Sequence, residues 1–434
     1  MHVKKHLGFN ALRKTISRHI QQVEDPRQTG KVEYSLHDIL MSGFAMMFFQ
    51  DPSLLVFQRR LQEKAQQNNI SAIFNIDSIP KDTQLRDVID LVPTQELSPI
   101  FPEFLKALQR GRQLEQYQLL DGKYLVSIDG SEYFSSYKIH CPHCLETKSR
   151  KSGPRYHHQI LQAVIVHPEL RQVLPLFPEA IQNSDGGSKQ DCEINAGKRI
   201  LKKIRSAHPK LPLIITADGL YSKQPFIDSL KESGMSYLLV AKPADHKVLF
   251  EWVNEITGMG EAGHFECFDE KGRLHKYQWV NDVPINGSPD ADQVNFLQYW
   301  IVNKQGKATY RNSWVTDIDV CRDNIKALVK AGRARWKIEN ETFNTLKNQG
   351  YHIEHNYGHG QQYLSMNFFV LNLLAFFIHQ ILELCDSHYQ RCRTKFSARR
   401  EFWNQLKYTI RIILFRDFYH LLHYIYHPPQ IRAP

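Results

Sequence analysis

The chain has 434 residues, 42% of them hydrophobic, enough for two or three domains and a substantial core. Its 55 Lys and Arg against 45 Asp and Glu leave a net charge of +10, which favours an anionic partner, nucleic acid first. Seven cysteines argue against a secreted disulfide framework, and the N-terminus lacks the apolar stretch of a signal peptide, so the expected location is the cytoplasm.

Residues 1–118 read as mostly helical. An apolar helix begins near residues 37–45, and another, with a polar N-cap, near 82–89. This region is a candidate DNA-binding domain or a body that packs on the catalytic part of the chain, and no helix-turn-helix pattern stands out in it. Lys4, Lys5, Arg13, Lys14, Arg18, Arg27 and Lys31 make it basic, either for phosphate contact or as solvated helix faces.

Residues 119–244 alternate between strand and helix patterns. Strands are predicted near 123–130, 158–167, 171–177, 211–217 and 236–241, with helices near 190–206 and 225–231. Strands joined through crossover helices imply a mixed sheet with helices on its faces. Two hydrophobic runs end in Asp-Gly, at Asp129 and at Asp218. A buried strand that stops at the rim of an open α/β sheet presents its last side chains where chemistry usually sits. Each Asp-Gly is also ordinary turn chemistry. Asp185, Asp191 and Glu193 are spare carboxylates nearby, and Asp191 is accounted for as a helix cap.

Inside the same region, Cys141-Pro142-His143-Cys144 precedes His157 and His158. Cys141, Cys144 and His157 have the spacing of a candidate structural Zn²⁺ site, with His140, His143 or Cys192 left to supply a fourth ligand. Adjacent strand residues face opposite ways, so one of His157 and His158 can take part. A free thiol pair is the alternative. Residues 245–320 read as a β-rich insertion in which Trp279, Trp300 and Trp314 either stack on unpaired bases or pack within a sheet.

Residues 321–385 return to helix. In Arg335-Trp336-Lys337-Ile338-Glu339, uniform winding at about 100° per residue sets Glu339 among Trp336, Phe343 and Leu346, in an apolar stripe. A carboxylate there needs a compensating charge, either Arg335 one turn earlier or a metal ion. The histidines of residues 351–360 offer DNA contacts or caps. The apolar run 368–378, broken by Asn372 and ended by His379 and Gln380, predicts a buried core helix rather than a membrane span. Residues 386–434 are basic and helical, with Arg391, Arg393, Lys395, Arg399, Arg400, Lys407, Arg411 and Arg416.

Asp129, Asp218 and Glu339 form a carboxylate set without thiolate or imidazole, which suits hard ions such as Mg²⁺ or Mn²⁺. Two such ions support phosphodiester cleavage or transfer. A phosphate-binding loop ending in Gly-Lys-Ser/Thr and a His-Glu-x-x-His zinc motif are both absent, which sets aside nucleotide hydrolysis and metalloprotease chemistry.

The ordered segments Ser127-Ile128-Asp129-Gly130-Ser131, Ile215-Thr216-Ala217-Asp218-Gly219-Leu220-Tyr221 and Arg335-Trp336-Lys337-Ile338-Glu339 resemble the DDE transposases of bacterial insertion sequences. The similarity is greatest to the group whose third acid lies in Y-x2-R-x3-E-x6-K, and it covers roughly residues 120–385. Gly332 stands where that pattern has tyrosine, and Leu346 where it has lysine, with Lys347 one residue late. The resemblance implies an α/β, ribonuclease H-like mixed sheet with flanking helices, formed by residues 119–244 and 321–385 and interrupted by the insertion at 245–320. It further implies that Asp129, Asp218 and Glu339 are catalytic and hold two Mg²⁺ or Mn²⁺ ions, with Arg335 and Lys347 on DNA. The implied partners are double-stranded DNA, as transposon-end inverted repeats and target, and a second copy in a working homodimer, with no membrane. The implied reaction is cleavage and strand transfer at insertion-sequence ends. A metal-dependent, structure-specific nuclease and a non-catalytic DNA-binding relic are the alternatives.

Overall fold

The computed structural model describes residues 5–28, 30, 32–149, 153–182 and 191–429, so Lys4, Lys31 and Asp185 lie outside the described residues. The N-terminal region is helical as expected: α1 (Phe9–Ile20), α2 (Leu36–Phe48), α3 (Leu54–Leu61), α4 (Lys64–Phe74), α5 (Asp82–Leu91) and α6 (Ile100–Arg110). Apolar residues run all round α2, so it is buried along nearly its whole length. At α5 the expected polar cap is absent; Lys81 holds that position, and Asp82 lies inside the first turn.

The middle of the chain builds one mixed sheet. Its strands are β1 (Gln118–Leu119), β2 (Lys123–Ser136), β3 (Leu145–Ser149), β4 (Gly153–Val166), β5 (Leu174–Pro175), β6 (Glu179–Ile181), β7 (Leu213–Ala217), β8 (Ser236–Val240), β9 (Gly263–Phe268), β10 (Leu274–Pro284), β11 (Gln293–Val302) and β12 (Ala308–Thr316). The spatial order is β3-β4-β2-β7-β8-β12-β11-β10-β9, with β1 beside β2 and the short β5 and β6 beside β4. The three central strands β2, β7 and β8 are parallel. Their β-branched and leucine-rich runs, such as Leu213–Ala217, are buried on both faces, which parallel strands require. Between β6 and β7 lies α7 (Glu193–Ala207), and between β7 and β8 lies α8 (Gln224–Glu232).

The insertion is part of this sheet. After α9 (Lys247–Gly258), β9 to β12 form an antiparallel meander whose last strand pairs with β8, Trp314 opposite Val240. The chain then runs through α10 (Ile325–Arg333), a 3₁₀ turn at Ala334–Trp336, a π-helical turn at Ile338–Phe343, α11 (Asn344–Asn348) and α12 (Leu364–Cys385).

Among the described residues, α12 is the one helix long and apolar enough to cross a membrane, and it lies in the core instead, 83% buried along its most apolar window. Its polar interruptions have partners there. Asn372 donates to the Tyr351 carbonyl (2.8 Å), His379 Nδ1 meets the Tyr351 hydroxyl (2.6 Å), and Gln380 accepts from the Val173 amide (3.2 Å). The start of α12 is fixed by α5: the Asp90 carboxylate accepts four backbone N–H groups, those of Gln361, Gln362, Tyr363 and Leu364, at 2.8–3.0 Å.

The C-terminal region forms α13 (Ser387–Arg393), α14 (Arg399–Ile412) and α15 (Phe418–Tyr426) and packs on the N-terminal helices. Phe9 meets Phe418 with ring centroids 4.5 Å apart, and Phe48 meets Trp403 at 5.4 Å. Asn69 reads the end of α14, donating to the Ile410 and Ile413 carbonyls and accepting from the Phe415 amide. Several of the basic residues here have internal partners. Arg399 pairs with Glu383 (2.6 Å), Arg411 with Glu63 (2.5 Å), and Lys395 lies over the Tyr426 ring.

Candidate active site

Asp129 and Asp218 are brought together by strand register. The parallel pairing of β2 with β7 sets Ser127 opposite Thr216, and each strand's chain reaches an aspartate two residues later. β7 stops there, but β2, expected to end at Asp129, runs on to Ser136 against β4. Asp129 therefore stands within its strand, beside the rim that the end of β7 makes. Asp218 caps the 3₁₀ turn Gly219–Tyr221, whereas Asp129 lies within β2, opposite Gln162 of β4. Asp129 Oδ1 accepts from the Gly130 amide (3.0 Å), and Asp218 Oδ1 from the Leu220 amide (3.0 Å). The turn reading therefore holds for Asp218 and fails for Asp129, although the backbone orients one oxygen of each acid.

A third carboxylate stands with them, and it is Glu193. It opens α7, the helix that leads into β7, so its N-terminal end returns to the rim where β7 stops. Gln159 donates to Glu193 Oε1 (2.6 Å), and the Tyr221 hydroxyl donates to Oε2 (3.4 Å). Its carboxylate lies against Gly130, where a Cβ would collide with Oε1, so a side chain at 130 would push the Glu193 carboxylate aside. Burial, and then the charge of Asp218, pushes the Glu193 carboxyl above the usual range. Asp129 is pushed up to about 6, first by burial, against the opposing pull of Arg335, with Asp218 and Glu193 adding to the rise. Sequence pattern alone leaves Glu193 a spare acid; its place at the start of the helix before the Asp218 strand is the signal that could have found it.

Arg335 pairs with Asp129, Nη1 to Oδ2 3.4 Å, and not with Glu339 as a uniform helix predicts. The segment that carries it is pinned to the sheet: Ser127 Oγ donates to the Arg335 carbonyl (3.1 Å), and Lys337 Nζ donates to the Leu170 carbonyl (2.6 Å). Glu339 lies on the π turn, which packs against β2 and β4. The expected apolar stripe around it does not form. Glu339 is exposed, Trp336 is 52% exposed, and only Phe343 and Leu346 are buried. The reason is winding, since a 3₁₀ turn followed by a π turn departs from 100° per residue. The Glu339 carboxylate has no hydrogen-bond or ion-pair partner among the described residues.

The π turn also bears on Lys347. An i→i+5 turn takes up one more residue than an α turn. One residue is therefore absorbed between Glu339 and Lys347, and Lys347 takes the place that uniform winding would give Leu346. It pairs with Glu354 at 2.9 Å, while Leu346 is buried. Deleting the exposed Asn340 should convert the turn to α winding and keep its flanks in place. The expected stability change is within about 1 kcal/mol, as for other surface changes, and a urea melt checks it.

The missing tyrosine has a steric cause. A Cβ on Gly332 would stand 2.6 Å from Cε2 and Nε1 of Trp314. Trp314 is itself fully buried, so it packs between β12 and α10 and offers no face to a base, contrary to the stacking expectation. Trp300 is half-buried on β11 with the Arg311 guanidinium over its ring, 5.7 Å from the centroid.

The cysteine–histidine expectation needs one substitution and one addition. His158, the neighbour of His157 on β4, faces Cys141 and Cys144. The fourth group is His359, from the segment after α11, rather than His140, His143 or Cys192. His157 points the other way, as alternation along a strand demands.

Residues 121–377, more than half of the chain, match the family described as Transposase DDE domain. No curated protein matches the chain. Among solved structures it is similar to a piggyBac transposase synaptic complex with hairpin DNA, determined by cryo-EM, at 12% identity and a TM-score of 0.43 over 98% of this chain and 82% of that one. On the match across residues 121–377, the chain belongs to the DDE-domain transposase family.

Proposed function

We propose that the protein is a transposase that cleaves DNA at the ends of an insertion sequence and joins them to target DNA. In this reading it has a ribonuclease H-like core and acts in the cytoplasm as a homodimer on double-stranded DNA. The observation that carries the reading is the register that brings Asp129 of β2 beside Asp218 at the end of β7, in a chain of this family. The rim suits a divalent ion. Its donors are all carboxylate oxygens, and Asp129 and Glu193, raised first by burial, are raised further by the neighbouring negative charge, a part that a cation would relieve.

Bound Mg²⁺ or Mn²⁺, two ions in this reading, supplies an activated water or 3′-hydroxyl and charge stabilisation at the leaving oxygen. Asp129, Asp218 and Glu339 would hold the ions, Glu339 being an exposed carboxylate without a competing partner. Glu193 adds its negative charge to the burial that raises Asp129. Arg335 holds Asp129 Oδ2 and fixes the direction of that carboxylate. Lys347 shares its charge with a largely exposed Glu354, a partner that a DNA phosphate readily replaces. Trp300 remains a candidate DNA contact through its half-exposed ring and Arg311.

The test uses a labelled duplex carrying the element's own ends, with Mg²⁺ and with EDTA, alongside Glu339→Gln and with a target plasmid present. Metal-dependent nicking and joined products, both lost in Glu339→Gln, are expected. Nicking without joining would leave a nuclease, and end binding without nicking would leave a DNA-binding relic.

A further inference from the structure

Four side chains from three separate parts of the chain converge beyond the carboxylate rim. Cys141 and Cys144 lie in the loop between β2 and β3, where the Cys144 amide donates to the Cys141 carbonyl (3.1 Å) and makes a tight knuckle. His158 projects from β4, and His359 comes from the segment that joins α11 to α12. The Sγ atoms are 3.9 Å apart. His158 Nε2 is 3.5 Å from Cys141 Sγ and 3.6 Å from Cys144 Sγ, and His359 Nε2 is 3.4 Å from Cys144 Sγ. All four ligand atoms lie within 4.8 Å of one another, and all four residues are buried.

These separations are those of a tetrahedron around one ion. With metal–sulfur bonds of about 2.3 Å and metal–nitrogen bonds of about 2.05 Å, a regular site sets sulfur from sulfur at about 3.8 Å and sulfur from nitrogen at about 3.6 Å. A disulfide is a different arrangement, with sulfurs about 2.05 Å apart. Two thiolates and two imidazoles in tetrahedral array select zinc among the common divalent ions. Four protein ligands complete the shell and leave no open position for substrate, which is the mark of a structural rather than a catalytic ion. Aromatic rings wall the site: Tyr133 stacks on His158, with centroids 5.8 Å apart, and Phe134 lies 4.4 Å from the His359 ring.

We infer that Cys141, Cys144, His158 and His359 bind one structural Zn²⁺ that clamps the β2–β4 edge of the sheet to the segment following Glu339 and Lys347. The clamp spans 215 positions in sequence between Cys144 and His359. It joins the strand that carries Asp129 to the chain that leaves the π turn, so both sides of the rim are held by a bond that only the folded protein can form. The inference stands on this cluster alone and does not depend on the transposase reading.

The experiment is zinc analysis by inductively coupled plasma mass spectrometry on the purified full chain, dialysed without added metal. About one ion per chain is expected, retained in His157→Ala and in Asp129→Asn and lost in Cys144→Ser and His359→Ala. Cobalt(II) reconstitution should give the absorption of a tetrahedral thiolate site in the parent and not in His359→Ala. Zinc retained by His359→Ala with an unchanged cobalt spectrum would overturn the four-ligand site. Should the ligand variants fail to fold, the parent protein decides. A chelator should lower its melting temperature, with recovery on adding Zn²⁺ but not Mg²⁺, and a melting temperature indifferent to both would refute the clamp.

Discussion

Asp129→Asn is expected to abolish metal-dependent DNA cleavage while leaving the protein more stable than its parent above pH 6. The loss follows from removing a negative oxygen donor from the rim. Metal-ion stabilisation of a phosphoryl transition state is worth several kcal/mol, so a fall of at least about 10³-fold in rate is expected, with binding to the element's ends retained. The gain follows from the raised acidity constant. In the fold Asp129 titrates near 6, chiefly because it is buried, with Asp218 and Glu193 adding to the effect. An unfolded aspartate titrates near about 3.9. The native state therefore binds this proton more tightly than the unfolded chain does. Stability contributed by the group is full below about pH 4 and is lost as pH rises through about 6. Melting temperatures without chelator or added divalent metal between pH 4 and pH 8 should show this decline in the parent and a shallower one in Asp129→Asn. Cleavage that survives in the variant would remove Asp129 from the site, and identical pH profiles would show that its burial has been misread.

Gly332→Tyr, which restores the tyrosine of the wider pattern, is expected to prevent folding. Position 332 lies in α10, backed by the fully buried Trp314 indole at a distance no real Cβ tolerates. Flexible side chains can yield to such a clash, but a tryptophan enclosed between a strand and a helix has nowhere to go. Gly332→Ala alone should cost about 1–3 kcal/mol, as overpacking usually does, and tyrosine more. Trp314→Leu also destabilises, by leaving a cavity. Combined with Gly332→Ala it should cost less than the two changes summed, because one relieves the crowding made by the other. Urea denaturation of the two single variants and the double variant measures this coupling. Strict additivity would mean that glycine is kept at 332 for some reason other than Trp314.

The central strands were legible because their physics is local. Runs such as Leu213–Ala217 are buried at every position and end in a turn residue, so their location and the placement of Asp218 followed from pattern, whereas β2 runs on past Asp129 to Ser136, which its Asp-Gly did not show. The long buried helix α12 was legible for the same reason. What failed was anything that depends on winding or on distant partners. Glu339 was set in an apolar stripe by assuming α geometry, and the 3₁₀ and π turns invalidate that projection. The pattern's displaced lysine, an anomaly in sequence, is the same π turn seen from the other side. Trp314 reads identically whether it faces solvent or Gly332, and nothing local separates the two cases. His359 could not be joined to Cys144 because ligand spacing rules cover tens of residues, not the 215 between them.

The carboxylate at the head of α12 carries a consequence for how this surface meets a polyanion. A bare helix N-terminus is a ready-made receptor for phosphate, and in a DNA-handling protein it would act as a decoy, capturing backbone in a fixed register wherever it lay. Asp90 fills that receptor with the protein's own charge, leaving no amide of Gln361, Gln362, Tyr363 or Leu364 unclaimed. The most apolar helix of the fold is thereby made electrostatically mute at its exposed end, and attraction for nucleic acid is left to side chains that can let go.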